Sequence, residues 1–130
     1  MEAKDKRELF EHEYVRIYAN GQGNIVLYFE NENEKPLAVG RKMNEIDEEA
    51  YMNGYNWDVF FDYYLAEHAA DISESMESDP EAGSYVAYFA DTEENERKAE
   101  RFARIIVSLI DNEEEIYRIL REKGGEIAWD

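Results

Sequence analysis

Apolar and polar positions alternate in the stretch EYVRIYA, with Val15 and Ile17 on one face and Tyr14, Arg16 and Tyr18 on the other. NIVLYFE follows as a short apolar run, and both patterns predict strands. Between them lies NGQGN, whose Asn20, Gly21, Gly23 and Asn24 tolerate positive φ, so the pair reads as a hairpin. ENENEKPLAVGRKM begins as a polar turn and predicts a third, weaker strand around Leu37 to Val39, with Pro36 at its start or on a sheet edge. SYVAYFA, introduced by the turn SDPEAG, predicts a fourth strand.

The remaining pattern is helical. In NGYNWDVFFDYYLAEHAA, the residues Trp57, Phe60, Phe61, Tyr64, Leu65 and His68 recur at the spacing of one buried stripe. With Asn56 as N-cap, Tyr55 would meet Phe60 as a hydrophobic staple and Asp58 would sit in the first turn, where the helix dipole favours an anion. DTEENERKAERFARIIVSLI repeats the logic, with Asp91 or Thr92 capping and Ala99, Phe102, Ala103, Ile106, Leu109 and Ile110 turned inward. In NEEEIYRILREKGG, Asn112 and Glu115 form a capping-box candidate, Ile116, Ile119 and Leu120 face inward, and Gly124 or Gly125 stops the helix. The closing EIAWD is expected to pack Ile127 and Trp129 back onto the body. The sum is an α+β domain over residues 1–130, a mostly antiparallel sheet of three to five strands with about three helices packed largely on one face. A chain of 130 residues, 44% hydrophobic, has material for one core.

Charge changes this picture more than composition does. The net charge is −18, yet residues 1–42 carry eight acids against seven lysines and arginines, and residues 97–130 the same. The other sixteen acids fall between Lys42 and Arg97, where no lysine or arginine occurs. Solubility needs only a modest charge of mixed sign, and like charges this dense oppose compaction. Such a surface disfavours nucleic acid and anionic membrane as partners and favours a basic protein. No cysteine is present, which removes disulfides, thiolate catalysis and cysteine-ligated zinc. The charged opening MEAKDKRELFEHEY lacks the apolar core of a signal peptide, and no stretch is long enough to cross a bilayer, so a cytoplasmic protein is expected.

Motifs for chemistry are few. The G-x-G of NGQGN lacks a third glycine and leads into a strand, which favours a hairpin turn over a phosphate loop. ENENEK imitates calcium-loop spacing, but Lys35 stands where the loop needs glycine. His12 and His68 lie in no metal or triad motif, and His68 falls on the core stripe. Asp58 and Asp62, four apart on one helix, repel each other and lack a third ligand, so a solvated face is the plainer reading. No catalytic, cofactor or metal residue is assigned. Among the tyrosines, Tyr51 and Tyr63 are the expected exposed ones.

Three motifs in order, NGYNW opening an aromatic helix, DPEAGSYVAYF leading a strand, and the ending LIDNEEEIYRILREKGGEIAWD, resemble the immunity protein 51 family of bacterial polymorphic toxin systems. The resemblance runs from about Tyr14 to Asp130. It implies a small cytosolic protein that binds and neutralises a cognate toxin and has no activity of its own. Gly54, Tyr55, Trp57 and the turn from Asp79 to Gly83 carry over as family markers, whereas no toxin-contacting residue does. The charge map reaches the same class independently, since an acidic protein can occupy a basic toxin. The expected contact residues are Glu45, Asp47, Glu48, Glu49, Tyr51, Asp58, Asp62, Tyr63, Glu67, Asp71, Glu74 and Glu77. Two other functions fit less well: an acidic nucleic-acid mimic occupying a basic DNA-binding protein, and a small enzyme without a recognisable site.

Overall fold

A computed structural model describes residues 7–129; Met1 to Lys6 of the charged opening, and Asp130, lie outside it. Five antiparallel strands form one open sheet: β1 (Arg7–Glu11), β2 (Val15–Ala19), β3 (Asn24–Phe29), β4 (Met76–Ser78) and β5 (Tyr85–Ala90), in the order β1-β2-β3-β5-β4. The helices are α1 (Glu34–Ile46), α2 (Gly54–His68), the single turn α3 (Ala70–Ser73), α4 (Glu93–Asp111) and α5 (Glu113–Lys123), followed by a 3-10 turn at Gly124–Glu126. The α+β architecture expected from the pattern is the one observed.

The hairpin joining β2 and β3 forms as its composition requires. Gly21 and Gly23 adopt φ of 75° and 96°, and the Asn20 side-chain oxygen accepts from the backbone N–H groups of Gln22 and Asn24. Alternation then sorts the sheet's two faces. Val15, Ile17, Ala19, Ile25, Leu27, Phe29, Tyr85, Ala87 and Phe89 are all buried and point to the helical side. There α4 runs over β2, β3 and β5, α2 lies against β5, and α5 packs on α1 and α4. Phe29, Trp57, Phe61, Tyr85 and Phe102 meet mostly edge to face, with centroids 5.0–6.0 Å apart, which favours aromatic pairs beyond simple area burial.

Four sequence expectations are corrected. Leu37 to Val39 belong to α1 rather than a third strand. Asn33 caps that helix, accepting from the Lys35 N–H at 3.1 Å, and Pro36 falls in the first turn, where its missing N–H costs nothing. The buried set Pro36, Val39, Gly40 and Met43 then shows the helical spacing that the short window concealed. In α2 the cap is Asn53, not Asn56, so Tyr55 turns to solvent instead of forming a staple. Asn112 makes no side-chain cap to α5, and Gly124 continues in right-handed helical geometry instead of stopping the chain. His68 ends α2 exposed, its ring tilted against Tyr64 with centroids 4.3 Å apart, and is not part of the buried stripe. Two short edge strands, β1 and β4, escaped the pattern because RELFE and MES carry charges and too few apolar positions.

Candidate partner-binding surface

The start of α2 is anchored by a joint between two sequence motifs. Asn53 accepts from the Asn56 N–H at 3.0 Å, and the buried Asn56 side chain accepts from the Met52 N–H at 2.9 Å, holding Met52 at φ 56°. Gly54 donates its N–H to the Ala82 carbonyl at 2.9 Å, which also accepts from the side-chain amide of the buried Asn31 at 3.2 Å. A Cβ on Gly54 would overlap the carbonyl oxygens of Glu81 and Ser84, so only glycine lets the turn from Asp79 to Gly83 dock here. NGYNW and DPEAG are therefore two halves of one contact.

That joint fixes the loop ahead of it. Asn44 donates to the carbonyls of Glu48 and Ala50, both at 3.1 Å, closing the turn after α1. Asp47 ends α1 and accepts from the Trp129 indole at 2.8 Å, tying the returning tail to the loop, while Ile127 is buried as expected. Glu45, Glu48 and Glu49 are exposed around this turn. Tyr51 is 73% exposed and Tyr55 43%, and these are the exposed large apolar side chains among the described residues. Tyr55 was missed as a surface residue because the cap lies three positions earlier than the sequence suggested; the Asn53–Asn56 spacing was the available signal.

Along α2, Asp58 is half-buried and Asp62 lies at the rim. Partial burial, and then the charge of Asp58, raises the Asp62 carboxyl to a pKa of about 6. Beneath them the buried Tyr85 hydroxyl is pushed well above its ordinary range, chiefly by burial and then by Asp58 and Asp62. Tyr63 is half-buried and donates to Glu126 at 3.3 Å, so it is less available than Tyr51. Glu67 and Glu74 are exposed. Asp71 is engaged by Arg101 at 2.7 and 3.5 Å, and this hydrogen-bonded pairing holds its carboxyl below the usual range. Glu77 lies elsewhere, on β4 opposite Tyr88, on the sheet face away from the helices.

The structure thus divides the twelve expected contact residues. Glu45, Asp47, Glu48, Glu49, Tyr51, Asp58 and Asp62 gather around the turn after α1 and the first half of α2. Tyr63 sits on the same helix, half-buried and bonded to Glu126; Glu67, Asp71 and Glu74 follow at the far end of that helix and beyond, and Glu77 is on the other side. The acidic block is also partly compensated by bases that flank it in sequence: Arg7 reaches Asp91 and Glu96 at 3.9 and 3.6 Å, and Lys98 reaches Glu94, one turn earlier on α4, at 3.3 Å. Among the described residues, no three His, Asp or Glu side chains are grouped to hold a metal ion, and no helix is long and apolar enough to cross a membrane.

Among the described residues, exposed tyrosines stand near acidic side chains on the helical layer, and no helix lies on the other face of the sheet. The fold is that of a small α+β domain with a single open sheet. The chain belongs to the immunity protein 51 family, whose model matches residues 15–125. No curated protein and no solved structure matches it. Family membership points to a toxin-neutralising immunity role, with a cognate toxin as the partner.

Proposed function

We propose that the protein neutralises a basic toxin by direct, non-catalytic binding, using the acidic surface formed by the turn after α1 and the outward side of α2. The observation that carries this reading is the exposure of Tyr51 and Tyr55 beside Glu45, Glu48, Glu49, Asp58 and Asp62. Tyrosine is enriched among interface residues that dominate binding energy, because a rigid ring contributes large contact area at low entropic cost. The carboxylates around it would steer a basic partner and set its approach rate. A toxin whose own substrate is anionic would meet a competing negative surface at its active site. Glu67 and Glu74 extend the field, and Asp71 contributes less while Arg101 holds it. The cytoplasm is where such an inhibitor would meet an incoming toxin.

The test is co-expression with the cognate toxin, combined with association kinetics. Tyr51→Ala with Tyr55→Ala should leave the fold intact, accelerate dissociation about 10- to 100-fold, and remove protection. Reversing Glu48 and Asp62 to lysine should instead slow association and flatten its salt dependence. Full protection and unchanged rates in both folded variants would refute the assignment of this surface.

A further inference from the structure

The sheet face turned away from the helices carries two ordered rows of side chains. Strand register places Glu11, Arg16, Tyr28 and Val86 side by side across β1, β2, β3 and β5. The neighbouring row runs Glu8, Tyr18, Val26, Tyr88 and Glu77 across all five strands. Strict alternation would put Glu8 and Glu11 on opposite faces. An irregularity in β1 between Glu8 and Phe10 absorbs one residue and turns both carboxylates outward. They come close enough that hydrogen bonding and repulsion from Glu11 raise the Glu8 pKa.

The face is apolar in its middle and acidic at its ends. Val26 is only 3% exposed and stands between Tyr18 and Tyr88 in its row, and among the described residues no helix lies on this face. Glu8, Arg16, Ile17, Tyr18 and Tyr28 line an open depression of about 550 Å³. One guanidinium already uses this surface: Arg16 lies 5.3 Å from the centroid of the Tyr28 ring and 3.7 Å from Glu30. Planar guanidinium groups stack on aromatic faces and pair with carboxylates in two-pronged fashion, which compact ammonium groups do less well.

We propose that these two rows form a second docking surface, for an arginine-bearing segment of a protein partner. Charge complementarity selects that occupant. A second copy of the chain would bring Glu8, Glu11 and Glu77 against their own counterparts, and nucleic acid or an anionic membrane would be repelled. The surface lies on the opposite side of the sheet from Tyr51 and Asp62, and its occupation does not depend on the toxin reading.

The full chain is titrated with a nona-arginine peptide and, separately, a nona-lysine peptide, following backbone amide shifts by NMR and affinity by calorimetry. Shifts are expected at Glu8, Arg16, Tyr28, Tyr88 and Glu77, with the arginine peptide bound more tightly. Tyr28→Ser with Tyr88→Ser should weaken the arginine peptide about tenfold, the order for two cation–π contacts, and change the lysine peptide little. Should that variant unfold, Glu8→Gln with Glu11→Gln gives the same readout, with a several-fold loss expected. Shifts confined to the turn after α1 and to α2, or equal affinity for both peptides, would overturn the proposal. So would a dimer in sedimentation that the tyrosine variant dissociates, which would assign the face to a second copy.

Discussion

Replacing Asp62 with asparagine should stabilise the protein, and should do so only above a defined pH. Partial burial on α2 and the neighbouring Asp58 hold the Asp62 carboxyl near pH 6, against an ordinary value of 3.8. Because the folded state raises this pKa, the fold favours the protonated form. The favourable contribution is complete below the unfolded value and is lost as pH rises through 6. A fully buried carboxyl shifted this far would cost about 3 kcal/mol at neutral pH. Part of Asp62 faces solvent, and screening there reduces the figure to about 1 kcal/mol. In a domain of this size that is a rise of about 4 °C in melting temperature. Thermal melts of the wild type and Asp62→Asn, taken from pH 4 to 7.5, measure it. The two curves should nearly meet at pH 4, separate between pH 4 and about 6.5, and then stay apart. Asp58→Asn should release part of the same penalty by lowering the Asp62 pKa. A difference between Asp62→Asn and wild type that does not vary with pH would show that the carboxyl is not held in its neutral form.

Trp57 is fully buried and packed 5.2 Å from Phe29 and 5.4 Å from Phe61; Trp57→Ala should lower unfolding free energy by about 3 to 5 kcal/mol, and an unchanged denaturation midpoint would contradict the burial. Gly54→Ala should cost at least about 3 kcal/mol, since the new methyl meets backbone oxygens that cannot rotate away. Less than about 1 kcal/mol in a urea titration would mean that the joint with the Asp79–Gly83 turn opens readily.

How far the fold could be read from sequence depended on how long each pattern ran. The stripe of α4 runs from Ala99 to Ile110, about three turns at 3.6 residues each, so Ala99, Phe102, Ala103, Ile106, Leu109 and Ile110 were identifiable as core, and all six are buried. Thr92, one of two candidate caps, accepts from the Asn95 N–H at 3.1 Å. The error at α1 had the opposite cause. Leu37 to Val39 is too short a window to separate periods of 2 and 3.6, and Pro36 suits a sheet edge and a first helical turn equally well. What decided for helix was Asn33, three residues before the proline, whose capping role the acidic repeat around it disguised. Misplacing the α2 cap by three residues hid Tyr55 on the core side. The outward rows of the sheet were illegible for another reason: which tyrosines share a face depends on β1, its irregularity and the strand order, all of them long-range pairings.

The charge map needed the structure to acquire a direction. Along the chain, the sixteen acids form one block; in space, the two nearly neutral ends supply bases to its flanks, Arg7 to Asp91 and Glu96, Lys98 to Glu94, and Arg101 to Asp71. Each of these three bases is exposed or tied to an exposed partner, so the four pairs add little stability. Their effect is on the field. They quieten the region around α3 and the start of α4, and none of these four pairs involves an acid of the turn after α1 or of the first half of α2. That end is also where the Gly54 joint fixes the backbone and where Tyr51 and Tyr55 are exposed. Under the proposed toxin-binding role, that end would meet a basic partner with exposed tyrosines and carboxylates together.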